Sequence, residues 1–146
     1  MTRPLPILPA GPIVLILIPV LAIALGLGGC ASVEKDKRAI ALYQATTGYE
    51  SALRWGYFEN ALGYLHPDDR EDLSLPEQLT DLRVVGYESA QSPVVEPSKE
   101  RAVQLVTIDY LYEDRQVVKQ LKDRQLWEWD EEGKTWWLMS GLPKFE

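Results

Sequence analysis

From its sequence, this chain is predicted to fold as an α+β domain, with N-terminal helices packed on an antiparallel sheet. Three observations predict that class. Apolar residues between Ala39 and Leu65 recur at helical spacings of three or four. From Leu79 onward the apolar period changes to two. No helical pattern lies between the period-two segments, which excludes parallel βαβ units and leaves antiparallel pairing through short turns.

Val33 to Arg38 is charged and reads as a spacer running into the first helix. Ile40, Tyr43, Tyr49, Leu53 and Tyr57 fall at spacings that stack them on one face. One helix is expected from about Lys35 to Trp55, weakened or bent near Thr46-Thr47-Gly48, where the residues are poor helix formers. A second, shorter helix is expected from about Tyr57 to Tyr64, with Phe58, Ala61, Leu62 and Leu65 facing a core. His66-Pro67-Asp68-Asp69 ends it, and a helical turn over Pro67 to Leu73 would carry the two acids near its start.

Leu79 to Ser89 is the first expected strand, and Gln91 to Lys99, with two prolines, the loop after it. Arg101 to Tyr112 is the clearest strand. Its apolar residues fall on both faces, so both faces are expected to meet other groups. Glu113-Asp114-Arg115 reads as a turn, and Val117 to Trp129 as a long third strand. Asp130-Glu131-Glu132-Gly133-Lys134 is a hairpin turn in which Gly133 is expected to take positive φ. Thr135 to Ser140 is the fourth strand.

The segment before the helices is a different object. Leu5 to Gly28 holds no charged residue, and five of the ten prolines lie within residues 4–19. Arg3 and the amino terminus make a positive start, Ile13 to Leu27 an apolar core of 15 residues, and Leu27-Gly28-Gly29-Cys30 follows. That order is a secretory signal peptide. An uncleaved spanning helix is the competing reading, since the stretch is long enough, but the prolines before Pro19 would break its first half. Leu27-Gly28-Gly29-Cys30 resembles the lipobox of bacterial lipoproteins, and Cys30 is the only cysteine. The resemblance implies diacylglycerol on the Cys30 sulfur, cleavage between Gly29 and Cys30, and palmitate-type acyl chains; two or three such chains anchor stably where one is marginal. Ala31 and Ser32 stand where an inner-membrane lipoprotein would carry Asp, which implies the outer membrane, facing the periplasm, in a Gram-negative cell. The expected organisation is a signal peptide over residues 1–29, a lipidated N-terminus and spacer over 30–38, and a single α+β domain over 39–146.

Charge narrows the partners. The chain carries a formal −7, and its one basic residue before Cys30 leaves 14 basic against 22 acidic residues in the remainder. An acidic domain repels phosphates, so no nucleic acid partner is expected. The expected partners are the membrane, through lipid on Cys30, and a protein of the envelope.

The order of elements resembles the NTF2-like family, which includes small bacterial lipoproteins. The residues behind the comparison are Tyr49-Glu50-Ser51-Ala52-Leu53-Arg54-Trp55-Gly56, His66-Pro67, Asp123-Arg124-Gln125 to Trp127, Trp136 and Leu142-Pro143. The resemblance implies a long bent helix across a strongly curved antiparallel sheet, a layout shared with cystatin-like folds. It departs in strand count, with four strands expected where six are common.

Four of the five tryptophans lie between Trp127 and Trp137. Trp127 and Trp129 share a strand face, and the opposing strand adds Trp136 or Trp137 to it, whichever register holds. Three tryptophans on one face read first as core beneath the long helix and second as the lining of a pocket or partner surface. The candidate binding surface is Trp127, Trp129, Tyr110 and Asp109. Asp109, among apolar neighbours, is a candidate general base; the competing reading is a cross-strand ion pair with Arg115, Lys119 or Lys122 on the exposed face. His66, the sole histidine, reads as a helix cap or a solvated group, and Asp68, Asp69, Glu71 and Asp72 do not match a calcium loop. No metal site and no cofactor are expected. No phosphate loop, nucleophile elbow or dinucleotide fingerprint is present. The function expected is therefore a membrane-anchored, non-enzymatic accessory or binding lipoprotein of the cell envelope. The alternative is an NTF2-like small-molecule enzyme or ligand pocket using Asp109. A structural domain dimerising through its sheet is a third class.

Overall fold

A computed structural model describes residues 29–70, 73–98 and 100–146, with side chains from Val33 onward. The segment expected to be a signal peptide, residues 1–29, lies outside the described residues up to Gly28. The chain divides into two units, Met1–Lys37 and Arg38–Glu146. No helix among the described residues is long and apolar enough to cross a membrane.

Three helices come first: α1 (Gly29–Arg54), α2 (Phe58–Leu62) and α3 (Pro67–Arg70). A 3-10 turn, Glu77–Asp81, leads into the sheet of β1 (Leu82–Ser89), β2 (Val94–Val95), β3 (Arg101–Tyr112), β4 (Lys119–Asp130) and β5 (Thr135–Leu138). The strands form a curled antiparallel half-barrel in the order β1-β3-β4-β5, with β2 also paired to β3. The class is α+β, as expected. An isolated parallel bridge joins Leu65 to Leu138, where the Leu138 N–H donates to the Tyr64 carbonyl at 2.7 Å. It is a single contact and makes no βαβ unit.

Within the second unit, α1 buries Leu42, Thr46, Tyr49, Ala52 and Leu53. These recur at three and four and form one stripe. The expected stripe was partly misplaced: Ile40, Tyr43 and Tyr57 are exposed. The helix runs without interruption through Thr46-Thr47-Gly48. The Thr46 hydroxyl donates back to the Leu42 carbonyl at 3.0 Å, which keeps its polar group inside the helix. Gly48 serves close packing: a Cβ there would lie 2.1 Å from the Tyr64 hydroxyl oxygen. The helix stops at Gly56, with φ +72°. Tyr57 N–H donates to the Ala52 carbonyl and Gly56 N–H to that of Leu53, the paired bonds of a Schellman cap.

β3 matches its expected bounds, and its alternate residues Ala102, Gln104, Val106, Ile108 and Tyr110 are buried on the concave face. β4 supplies Gln125, Trp127 and Trp129 to the same face, and β5 supplies Trp136 and Leu138. Ala102 opposes Trp127, a small residue leaving room for an indole. Tyr49, Leu53, Val106, Ile108 and Leu138 are buried in the core, while Leu62, expected to face it, is half-buried against it. β2 lies inside the expected loop. It continues the edge begun by β1, after residues that break the register opposite Gln104 and Leu105. In the β4–β5 hairpin the positive φ falls on Lys134, at 51°, and not on Gly133. Gly133 is required for space: a Cβ would stand 2.6 Å from the Asp130 carboxylate. That carboxylate accepts backbone N–H groups of Gly133 and Glu132 and the Trp137 indole N–H, which hold it below its ordinary pKa.

Candidate functional site

The concave face has an apolar centre and a polar margin. In the centre, Trp127 is fully buried and meets the edges of Tyr49 and Tyr64 at ring distances of 5.7 and 6.4 Å. Trp129 and Trp136 pack at 5.5 Å. The expected set of three tryptophans on one face is present, with Trp136 rather than Trp137 as its third member. This end also fastens α1. The Arg38 guanidinium stands 5.2 Å over the Trp129 ring and pairs with Glu131, while the Trp136 indole donates to the Arg38 carbonyl at 3.0 Å. Bonds from Lys134 and the Trp129 indole, with the Arg38 charge behind them, hold the Glu131 carboxyl below its usual range.

The opposite end is closed by residues 141–146. Tyr110 donates its hydroxyl proton to the Glu146 carbonyl at 2.8 Å and accepts the Glu146 N–H at 3.1 Å. Its ring lies 5.0 Å from Phe145, which also meets Phe58. Beside these residues a groove of about 800 Å³ is lined by Leu62, Leu75, Leu79, Tyr112, Leu142 and others.

Between the two ends, at the margin where α1 faces β1, β3 and β4, polar side chains point inward. Strand alternation puts Asp123, Gln125 and Trp127 on the concave face, and register sets Gln125 opposite Gln104 and Asp123 opposite Val106. Gln125 Nε2 donates to the Tyr87 hydroxyl oxygen and to Asp123 Oδ2, both at 2.9 Å. Gln104 Nε2 donates to Ser89 Oγ at 2.7 Å. That accounts for the nitrogens and leaves the oxygens. Among the described residues, Gln104 Oε1, Gln125 Oε1, the Tyr49 hydroxyl and the Trp127 indole N–H are buried with no hydrogen-bond partner. Each such group costs roughly 1–3 kcal/mol when left unpaired.

Burial governs the ionisation of this cluster. Desolvation pushes Asp123 above its ordinary pKa, and the bond from Gln125 offsets part of that. Tyr49 is pushed well above the usual phenol range by burial, then by the charges of Asp123 and Tyr87. Tyr87 is raised by burial and by Asp123 and Glu50, against the bond from Gln125. Glu50 on α1 and Asp123 on β4 therefore act on one phenol from two elements. The arrangement holds acceptors, a carboxylate and aromatic rings around one polar margin.

The structure separates the expected surface residues. Trp127, Trp129 and Tyr110 are on the concave face and buried. Asp109 is on the convex face, where Gln120 Nε2 donates to its Oδ1 at 2.8 Å across the strand pair. Its cross-strand partner is thus an amide and not Arg115, Lys119 or Lys122. The bulge at Val84–Gly86 brings Gly86 against it, so that a Cβ on Gly86 would approach the carboxylate to 2.9 Å. His66 lies outside the concave face. Its Nδ1 accepts the Asp68 N–H at 3.4 Å and caps the turn that becomes α3. Cys30 falls in the first turn of α1 by its backbone. Among the described residues no group of three or more His, Cys, Asp or Glu is placed to hold a metal.

Asp123, Gln125, Gln104, Tyr87 and the Tyr49 hydroxyl were not singled out from sequence as one site. A signal was present: once Trp127 is assigned inward, Gln125 and Asp123 follow by period two, and Asp109 turns outward beside inward Ile108 and Tyr110. No family model, curated protein or solved structure matches this chain.

Proposed function

We propose that this chain is a lipoprotein anchored in the bacterial cell envelope by lipid on Cys30, and that its folded unit is a non-enzymatic binding domain. The anchor rests on Leu27-Gly28-Gly29-Cys30 at the end of the apolar run. By the lipobox resemblance the protein faces the periplasm from the outer membrane of a Gram-negative cell. The binding role rests on one observation, the buried and unpaired polar atoms of Gln104, Gln125 and Trp127 on the concave face and of Tyr49 on α1. Groups of this kind are stabilised by a polar partner and are costly without one. The same observation favours a second reading, an NTF2-like layout whose concave pocket takes a small molecule; on that reading the inward acid is Asp123, since Asp109 faces out.

The anchor is tested at the N-terminus. Mass spectrometry of the protein from bacterial membranes should find a chain beginning at Cys30 with acyl groups on it. Cys30→Ser should abolish palmitate labelling and leave the precursor uncut, because lipid transfer to the thiol precedes cleavage. An unmodified Cys30, or a chain still carrying Ile13 to Leu27, would overturn the reading.

A further inference from the structure

Deepening the binding reading, on which it rests, we propose that the margin formed by Tyr87, Asp123 and Glu50 above the Gln104–Gln125 pair is a site for an organic ammonium ion. Charge is the first argument. The Asp123 carboxylate is half-buried and receives a hydrogen bond from an amide, and no Lys or Arg among the described residues pairs with it. Its chain neighbours Lys122 and Arg124 are exposed and alternate to the convex face. Glu50 adds a second carboxylate from α1; its own partner, Arg54, lies 3.6 Å away on the exposed side of the helix.

Hydrogen-bond polarity is the second. The nitrogens of Gln104 and Gln125 are already engaged, and the atoms left over on them are acceptors. An anion would meet two carboxylates and two amide oxygens. An ammonium supplies three donors and one positive charge. Among the described residues, the Gln125 and Gln104 amide oxygens are buried and accept no hydrogen bond.

The walls are the third. Half-buried Tyr87 borders the cluster, and aromatic rings attract organic cations while offering a hydrated metal ion little. Among the described residues no group of three or more His, Cys, Asp or Glu is gathered here to hold a metal ion.

The test uses the full chain in a nonionic detergent, titrated with n-butylammonium chloride, with sodium butyrate and sodium chloride as controls at matched ionic strength. Side-chain amide resonances of Gln125 and Gln104 and the indole N–H of Trp127 are read by NMR. Butylammonium should shift them saturably, with a Kd on the order of 1 mM, and neither control should. Asp123→Asn should weaken binding about tenfold or more, the scale of losing a hydrogen bond to a charged group, with an undiminished thermal midpoint. Glu50→Gln, on the partly exposed helix surface, should weaken it less and serves as the second variant. A response to sodium chloride equal to that with the amine, no saturable shift, or amine binding unchanged in Asp123→Asn would overturn the proposal. A chain lipidated at Cys30 that ignores the amine refutes the ligand class alone; an amine-binding chain with unmodified Cys30 refutes the anchor alone.

Discussion

Replacing Gly48 by alanine sets two effects of opposite sign against each other. In an ordinary helix interior the change stabilises by about 0.8–1.0 kcal/mol, because glycine gives up more backbone freedom on folding. Here the new Cβ would sit 2.1 Å from the Tyr64 hydroxyl oxygen and 3.1 Å from the ring carbon that bears it, against 3.4 Å for ordinary contact. Tyr64 has little room to retreat. Its ring meets Tyr49 at 5.8 Å and Trp127 at 6.4 Å, and its carbonyl accepts the Leu138 N–H. Overpacking of a filled core costs about 1–3 kcal/mol, and the depth of this overlap places it in the upper half of that range. The net expectation for Gly48→Ala is a loss of about 1–2 kcal/mol, measured as the shift in urea midpoint at constant m. Tyr64→Phe removes the overlapping oxygen, so in that background Gly48→Ala should be close to neutral or stabilising. The coupling between the two changes is then about 1–3 kcal/mol. A Gly48→Ala protein more stable than the parent, or a cycle with no coupling, would refute the packing argument and return Gly48 to the role of a weak point in the helix.

Two further outcomes follow from the concave face. Trp127→Ala should cost about 3–5 kcal/mol in urea denaturation, the range for deleting a large buried aromatic; a variant as stable as the parent would show that the indole is not core. Asp123 has a folded pKa raised above 3.8 by burial, so its contribution to stability is fully present below that value and is lost as pH rises through the folded pKa. The stability of the parent relative to Asp123→Asn should therefore fall as pH rises from 3.8 and then level off; a difference that is flat with pH would show that burial does not act on this carboxyl.

The sheet was more legible than the helix, for a physical reason. In β3 the alternation Ala102, Gln104, Val106, Ile108, Tyr110 is imposed by a pleat of period two, and a one-residue slip would exchange the faces. That rigidity also made three inward tryptophans readable before the register was known. The helix offers a weaker constraint. Ile40 and Tyr43 sit at plausible spacings from Tyr49 and Leu53, yet the stripe that meets the sheet runs through Leu42, Thr46 and Tyr49. A threonine hides there by donating back to Leu42, which hydropathy does not register. Glycine was ambiguous for the same kind of reason. Gly48 and Gly133 are needed because Tyr64 and the Asp130 carboxylate approach them, and such neighbours are distant in sequence or visible only once the turn is built. The candidate surface failed to stay together because Asp109 and Tyr110 are consecutive, and consecutive strand residues face opposite ways.

The same alternation sets what the polar margin costs the fold. β4 runs inward as Leu121, Asp123, Gln125, Trp127, Trp129, and β3 opposite it as Ile108, Val106, Gln104, Ala102. Leucine at 104 and 125 would continue the apolar surface on both sides and remove two buried acceptors, each costing roughly 1–3 kcal/mol where it is left unpaired. Domains of this size have a net stability of about 5–15 kcal/mol, so the combined cost is a sizeable fraction of the whole. The convex face is solvated along much of its length, and an amide or carboxylate is inexpensive there; Asp109 and Gln120 occupy such positions and pair with each other. Folding alone therefore accounts for the polar pair outside and leaves the polar group inside with a cost. The proposed cation would offset that cost at the carboxylate and the amide oxygens together. This is why the concave margin, rather than the apolar groove beside residues 141–146, is the stronger place to look for a ligand.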